Sequence, residues 1–413
     1  MSEYTNLQTT QWDVIIVGGG MVGATTALDF AQNGFKVALL EKHQPELSWS
    51  EDKSYQIRVS ALTRASENIF KNLGVWQGIE KRRFHAFTDM HVWEDISDAE
   101  VHFSAREIDE KNLGFVVEND VIVASLWEAI LDNGKIQPIF GEMINKIELE
   151  KSLAEVSFES GLQLTAKLVV GADGAFSLAR ELVGIKVKEH SYEQCAIVGC
   201  VKTELSNQNT CWQRYQQAGP FAYLAMANKV SSIAWYLPVE KMQWALDLSE
   251  EDFKSEIEKA SGAKLGQVEQ TYGRAGFPLV RRHAEEYVKP HFALVGDAAH
   301  TVHPQAGQGV NLGLLDAVAL VEVISNERNS SEKDWSRKSV LRRYERWRKG
   351  DNIIVQRAME GFDWLFKQKN QSKNSLRASF VTLGNNLKIV KNWLMSQVLN
   401  GRIALPNKAT RPW

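Results

Sequence analysis

The sequence predicts an α/β protein of two domains, one of them a Rossmann-like dinucleotide-binding domain. Three observations carry this. The chain has 413 residues, 44% of them hydrophobic, which is enough for a large core and too long for a single compact one. Its N-terminal segment orders a β-branched run, a glycine cluster, a helical stretch, a second apolar run and an acid. Two later stretches, 167–174 and 292–313, again run from a short apolar strand into glycines and an aspartate.

Asp13-Val14-Ile15-Ile16-Val17 suits a buried parallel strand. Gly18-Gly19-Gly20-Met21-Val22-Gly23 follows and fits G-x-G-x-x-G with Gly18, Gly20 and Gly23 in the three slots. The first glycine permits a tight turn, the second lets the backbone approach a pyrophosphate, and the third lets the helix pack close to the strand. The helix is expected from Val22 to Asn33, stopped by Gly34, with its N-terminal amides facing the phosphates. The second strand, Lys36–Leu40, ends in Glu41, where a carboxylate accepts from a ribose diol. A bare glycine pattern also fits an ordinary turn before a helix; the whole series in this order is what makes the nucleotide reading the stronger one. An acid at Glu41 favours a free ribose hydroxyl over a 2′-phosphate, and so FAD or NAD over NADP.

Residues 167–174, KLVVGADG, deliver a strand to Gly171, Asp173 and Gly174, with a helix starting near Ser177. Alone, this also reads as a common Asp-Gly turn. Residues 292–296, FALVG, form another strand that ends at Asp297; Ala298, Ala299 and His300 follow, then Pro304, Gly307, Gln308, Gly309 and Asn311, with a helix expected near Leu312. A strand-end acid suits a polyol, and glycines leading into a helix present amides to a developing anion. FAD has both partners, in its ribityl chain and at the N1/O2 edge of its ring.

Together GGGMVG with Glu41, GADG, and GDAAHTVHPQAGQGVNLG resemble the three fingerprints of the group A flavoprotein monooxygenases, the fold of p-hydroxybenzoate hydroxylase. Ile57–Leu62, Leu73–Trp76, Val117–Asn119, Gly219-Pro220, Phe277–Leu279 with Arg281–His283, and Arg343-Tyr344 with Asp351-Asn352 point to the aerobic hydroxylases of ubiquinone biosynthesis within it. The resemblance implies a Rossmann-like FAD-binding domain (1–80, 100–185 and 275–350) interleaved with a mostly antiparallel-sheet substrate domain (81–99 and 186–274), and C-terminal helices over 351–413. It also implies roles. Gly18, Gly20, Gly23 and Glu41 hold the ADP half of FAD, and Arg58 lies near flavin and pyrophosphate. Asp173 and Gly174 touch the cofactor where the nicotinamide donor visits. Asp297 binds the ribityl chain; Gly307, Gly309, Val310 and Asn311 flank the isoalloxazine; Pro304 lies on the substrate side of the ring. Three positions depart from the pattern: Val123, where relatives offer Gln or Arg to the pyrophosphate, Gln56 in place of a frequent Asp, and Ala225 in place of Pro.

The chemistry implied is reduction of FAD by NAD(P)H, which binds transiently for want of a second dinucleotide fingerprint, then reaction with O2 to a C4a-hydroperoxyflavin that transfers one oxygen to an electron-rich ring. A quinol or phenol carries its own activating oxygens, so no strong base is demanded. His303 is a candidate to deprotonate a substrate hydroxyl, although a histidine beside proline is more often a loop residue; His300 reads as structural.

The remaining features set boundaries. With 48 Lys and Arg against 51 Asp and Glu there is no global case for nucleic acid. Cys195, Cys200 and Cys211 form no C-x-x-C pair and no metal-ligand spacing, so reduced thiols are expected. No secretion signal and no membrane-length apolar run are read, which predicts a cytoplasmic protein, peripheral on the inner-membrane face at most. From Leu376 to Val398 apolar residues recur in steps of four and three, fitting a helix docked on the protein's own substrate domain, on a membrane surface, or on another ubiquinone-biosynthesis protein. The partners expected are a polyprenyl quinol or phenol and O2. The rival readings are a hydroxylase of another aromatic substrate or ring position, an FAD-dependent prenyl reductase, and a non-catalytic flavin-binding scaffold.

Overall fold

The computed structural model describes residues 7–8, 10–94, 100–216, 218–301, 308–330, 334–367 and 405–411. His303, Pro304, Gly307 and the Leu376–Val398 stripe lie outside these residues.

The N-terminal strand Gln11–Val17 sits inside a sheet. It pairs in parallel with Gln163–Gly171 on one side and Val37–Glu41 on the other, and Phe292–Leu294 and Ile136–Phe140 extend the parallel set. These strands read as continuous apolar runs because helices cover both faces: Val14, Ile15, Ile16, Leu39, Val169, Val170 and Leu294 are fully buried. Two antiparallel strands, Ala154–Phe158 and Ile144–Leu149, branch from Gln163–Gly171.

The second sheet is antiparallel except where Thr210–Tyr215 lies parallel to Asp89–Glu94. Its spine is two 17-residue strands, Val187–Thr203 and Val268–Ala284, in register with Val230–Pro238 and Phe221–Ala225. Period-two alternation gives the sheet two unlike faces. Phe221, Tyr223, Ile233, Trp235 and Ile197 pack on one side against Phe253 and Ile257 of the helix Glu250–Ser261. Ala196, Val198, Ala222, Ser232 and Ala234 line the other, which faces a cavity. The expected boundaries at 99/100 and 274/275 cut through this sheet: Glu100–Ser104 pairs with Asp89–Glu94, and Val268–Ala284 runs unbroken past 275. A short three-stranded sheet of Val59–Leu62, Gly114–Glu118 and Phe84–Phe87 completes the set.

Among the described residues one helix, Gly309–Ser330, is long and apolar enough by mean composition to cross a membrane, although Asp316 and Glu322 interrupt its apolar run; 72% of that stretch is buried inside the protein, so it is the central core helix. At the C-terminal side, residues 405–411 return to the first sheet's helices. Asn68 and Asn72 donate to the carbonyls of Ala409 and Lys408, and the Asn407 amide donates to Glu322.

Candidate functional site

The N-terminal glycine turn divides its steric duties as the spacing predicts. Gly18 has φ +101°, and a Cβ there would lie 2.7 Å from the Ala172 carbonyl oxygen. A Cβ on Gly23 would lie 1.8 Å from the Gly18 carbonyl oxygen, whereas one on Gly20 would meet nothing within 4 Å. Gly20 caps the helix Met21–Gln32, whose first turn has no side-chain cap and no acid. Bare helix amides over open space fit a pyrophosphate. Glu41 closes the turn: its carboxylate accepts from the amides of Gly19 at 2.7 Å and Lys42 at 2.8 Å, beyond the last residue of its strand. Trp127, which sequence reasoning did not single out, donates its indole N–H to the Gly19 carbonyl at 2.8 Å and fixes the turn from below.

The two later stretches meet this turn. The Ala172 amide donates to the Val17 carbonyl. Asp173 does not point outward as a ligand: its carboxylate accepts from the Ser177 hydroxyl and from the Ala179 amide at 3.0 Å, capping the helix Leu178–Leu182. Gly174, at φ +82°, has open space where a side chain would stand. Arg180, another residue not anticipated, clamps the two stretches together by donating to the carbonyls of Ala298 and Ala175 at 2.8 and 3.1 Å.

Asp297 follows the carboxyl end of the strand Phe292–Leu294 and faces the cavity. It is reached from the cleft yet surrounded by protein, and this burial raises its pKa, while His300 and Arg58 act to lower it. Arg58 borders the same cavity and stands 5.8 Å from the ring of Phe277. The helix expected near Leu312 starts earlier, at Gln308, so Gly309 and Val310 sit in its first turn at the cavity edge. A Cβ on Gly309 would meet nothing within 4 Å. Asn311 is turned inward: its carbonyl oxygen accepts from the Thr63 amide at 3.0 Å and the Ser66 hydroxyl at 2.6 Å, and its amide donates to the Ala61 carbonyl at 2.8 Å.

The cavity, about 640 Å³, runs from Gly20, Arg58 and Asp297 to the small-residue face of the second sheet. Its far walls are Met90, Val92, Leu224 and Leu279. Cys211 belongs to that wall, and burial pushes its thiol up to about 12, so it acts as an apolar surface and not as a nucleophile. At the rim Phe176 is 82% exposed, under the Arg282 guanidinium at 4.5 Å.

Behind the Asp297 turn lies a buried polar cluster that the sequence marks only by an acid within the apolar run Leu312–Val321. Asp316 is fully buried and takes hydrogen bonds from His300, Gly296, Arg348 and Asn352. Burial pushes its carboxyl up, but His300 and Arg348 outweigh this and hold it at about 2. His300 is thus engaged with Asp316 behind the turn.

A nucleotide turn, a second glycine–aspartate turn and a glycine-rich helix start around one cavity define a flavin-binding oxidoreductase. A family profile described as an FAD binding domain matches residues 11–350. The 3-demethoxyubiquinol 3-hydroxylase of Escherichia coli (strain K12) is 38% identical over 350 residues, covering 85% of this chain and 88% of that protein. The mitochondrial ubiquinone biosynthesis monooxygenase COQ6 of Danio rerio is 29% identical over 93% of this chain and 89% of its own. The crystal structure of p-nitrophenol 4-monooxygenase from Pseudomonas putida DLL-E4 superposes with a TM-score of 0.76 over 96% of this chain and 100% of that one, at 18% identity, a likeness of fold. The chain belongs to the FAD-dependent monooxygenases of the ubiquinone-biosynthesis hydroxylase family. It is a flavoprotein hydroxylase with FAD as cofactor and NAD(P)H as reductant.

Proposed function

We propose that this enzyme hydroxylates the ring of a polyprenyl benzoquinol or phenol in ubiquinone biosynthesis, with a 2-polyprenyl-3-methyl-6-methoxy-1,4-benzoquinol as the substrate it fits best. The observation that carries the reading is the cavity wall. Polar and charged groups gather at its cofactor end, in Arg58 and Asp297, while Ala196, Val198, Ala222, Ala234 and Leu279 leave an apolar trough beyond. A substrate with an oxygenated ring and a hydrocarbon tail matches that division, since each buried methylene contributes about 0.8 kcal/mol.

Bound FAD, reduced by NAD(P)H, supplies the oxygen-transfer chemistry with O2. The chain's share is binding, orientation and exclusion of water. Gly18, Gly20, Gly23 and Glu41 would hold the ADP half, Asp297 the ribityl hydroxyls, and the amides of Gly309 and Val310 the electron-accepting edge of the ring. Gly174, Phe176 and Arg282 border the face open to a transient nicotinamide donor. The enzyme works in the cytoplasm and meets the tailed substrate at the membrane surface.

The test is NAD(P)H-dependent oxygen consumption by the FAD-loaded protein with short- and long-tailed quinol analogues, joined to deletion of the gene in its own organism. Hydroxylated product and a demethoxyquinone-type intermediate accumulating in the deletion strain support the reading. Prenyl reduction without oxygen uptake, or FAD binding without turnover, would replace it with a reductase or a scaffold.

A further inference from the structure

The cluster at Asp316 plays no part in the site described so far, yet its connections lead straight to it. Asp316 uses both carboxylate oxygens. Oδ2 accepts from His300 Nε2 at 2.5 Å and from the Gly296 amide at 3.3 Å. Oδ1 accepts from Arg348 Nε at 2.8 Å and Asn352 Nδ2 at 3.2 Å. The first two donors stand on either side of Asp297 in one five-residue turn, so a single carboxylate holds both ends of the segment that aims Asp297 at the cavity. The second two belong to the helix Lys338–Lys367. Arg348 is held in turn by Asn352 Oδ1 at 3.0 Å and by Asp351 at 3.3 Å.

The turn needs such a hold. Gly296 has φ +60°, a conformation glycine tolerates, and a Cβ there would press on Val22 at 3.2 Å. The His300 ring stacks on Tyr287 with centroids 5.9 Å apart and planes inclined by 22°, and its Nδ1 has no hydrogen-bond partner among the described residues. His300 therefore serves as a donor through Nε2 alone. A fully buried carboxylate is costly unless every lone pair is used, and here all four donors come from elements that must keep their places for Asp297 to face the cavity.

We propose that Asp316 is a positioning residue of the cofactor site: through His300 and the Gly296 amide it fixes the turn that presents Asp297, and through Arg348 and Asn352 it ties that turn to the helix Lys338–Lys367. The proposal rests on the reading that Asp297 contacts bound FAD. It implies that damage to the cluster, outside the cavity, changes the affinity and electronic environment of the flavin.

The experiment compares His300→Leu, which removes the donor, with His300→Gln, which retains one, and with Asn352→Leu on the far side of Asp316. FAD dissociation constants by fluorescence and the midpoint potential of bound flavin are measured for each and for the wild type. His300→Leu is expected to raise the FAD dissociation constant by about tenfold or more, and His300→Gln to stay within about threefold of wild type. Asn352→Leu is expected to weaken binding by about threefold and to shift the potential. A merely structural cluster lowers thermal stability and leaves affinity and potential unmoved; that result in His300→Leu overturns the proposal. Should His300→Leu fail to fold, the same result in Asn352→Leu overturns it. A wild-type protein that takes up FAD with no loss in Asp297→Ala sinks the reading beneath the proposal instead.

Discussion

Asp29 gives a quantitative test of how the cofactor helix is built. It lies in the last turns of the helix Met21–Gln32 and is 1% exposed. Asn33 donates to it at 3.1 Å, Lys408 stands 3.8 Å away, and Glu322 adds a repulsion. Burial outweighs the Lys408 attraction, so the carboxyl is pushed up from 3.8 to about 7. Between these values the folded protein keeps a proton that the unfolded chain has released, so stability falls as pH rises through the window and levels off above it. The effect is about 4 kcal/mol at pH 8 and about 2 kcal/mol at pH 5. Asp29→Asn removes the titration with almost no change of shape. Its stability relative to wild type should therefore improve by about 2–3 kcal/mol on going from pH 5 to pH 8. Urea unfolding of both FAD-saturated proteins at the two pH values, followed by circular dichroism, measures this directly. A difference between variant and wild type that is the same at both pH values, within about 0.5 kcal/mol, would refute the reasoning and show that Lys408 keeps Asp29 ionised.

Three further outcomes follow from the site. Gly23→Val should yield a colourless protein, because its Cβ would lie 1.8 Å from the Gly18 carbonyl oxygen and the turn cannot close; flavin content after purification reads this out. Asp297→Ala should weaken FAD binding by about ten- to a hundredfold through loss of a charge-assisted hydrogen bond, and by more than Glu41→Ala; equal dissociation constants would place one of the two wrongly. Ala234→Trp, on the trough floor beside Ala222, should leave FAD content unchanged and depress turnover of a long-tailed quinol, measured as product formed per NAD(P)H consumed; unaltered turnover would move the tail elsewhere.

What could be read from the sequence was what a single residue type decides alone. Gly18 and Gly23 answer different steric demands and Gly20 leaves open space at the helix start, so their spacing implied the turn. Asp297 and Glu41 stood out as acids at strand ends. The helix from Gln308 was placed four residues late because its first turn is glycine-rich, and glycine reads as loop on propensity; the same glycines are what leave its amides bare at the cavity edge. The local pattern left Asp173 open, because an Asp-Gly pair after a strand has two uses, and only the resemblance assigned it to the cofactor; in the structure its carboxylate accepts from Ser177 and Ala179. The boundary expected near 100 falls between two paired strands, Glu100–Ser104 and Asp89–Glu94, a pairing no local pattern announces. Asp316 was invisible as a hub since its donors lie 16, 20, 32 and 36 residues away.

The cradle is held at both ends of its helices. The helices Met21–Gln32, Arg64–Asn72 and Gln308–Ser330 all point their N-termini at it: Gly20, Thr63 and Gly309 line its wall. Near the cavity, Asn311 joins the third helix to the cap of the second. At the distal end, residues 405–411 bond to Asn68 and Asn72 of the second helix, Gln32 of the first and Glu322 of the third. Three helix N-termini converging on one cavity would repel one another's positive ends unless an anion lies there or the helices are fixed mechanically. The side-chain clasps provide the second condition, and the pyrophosphate and reduced ring of FAD meet the first. Binding energy then need not be spent on assembling the site, and it remains available for positioning the ring against a substrate whose only firm hold is an apolar trough.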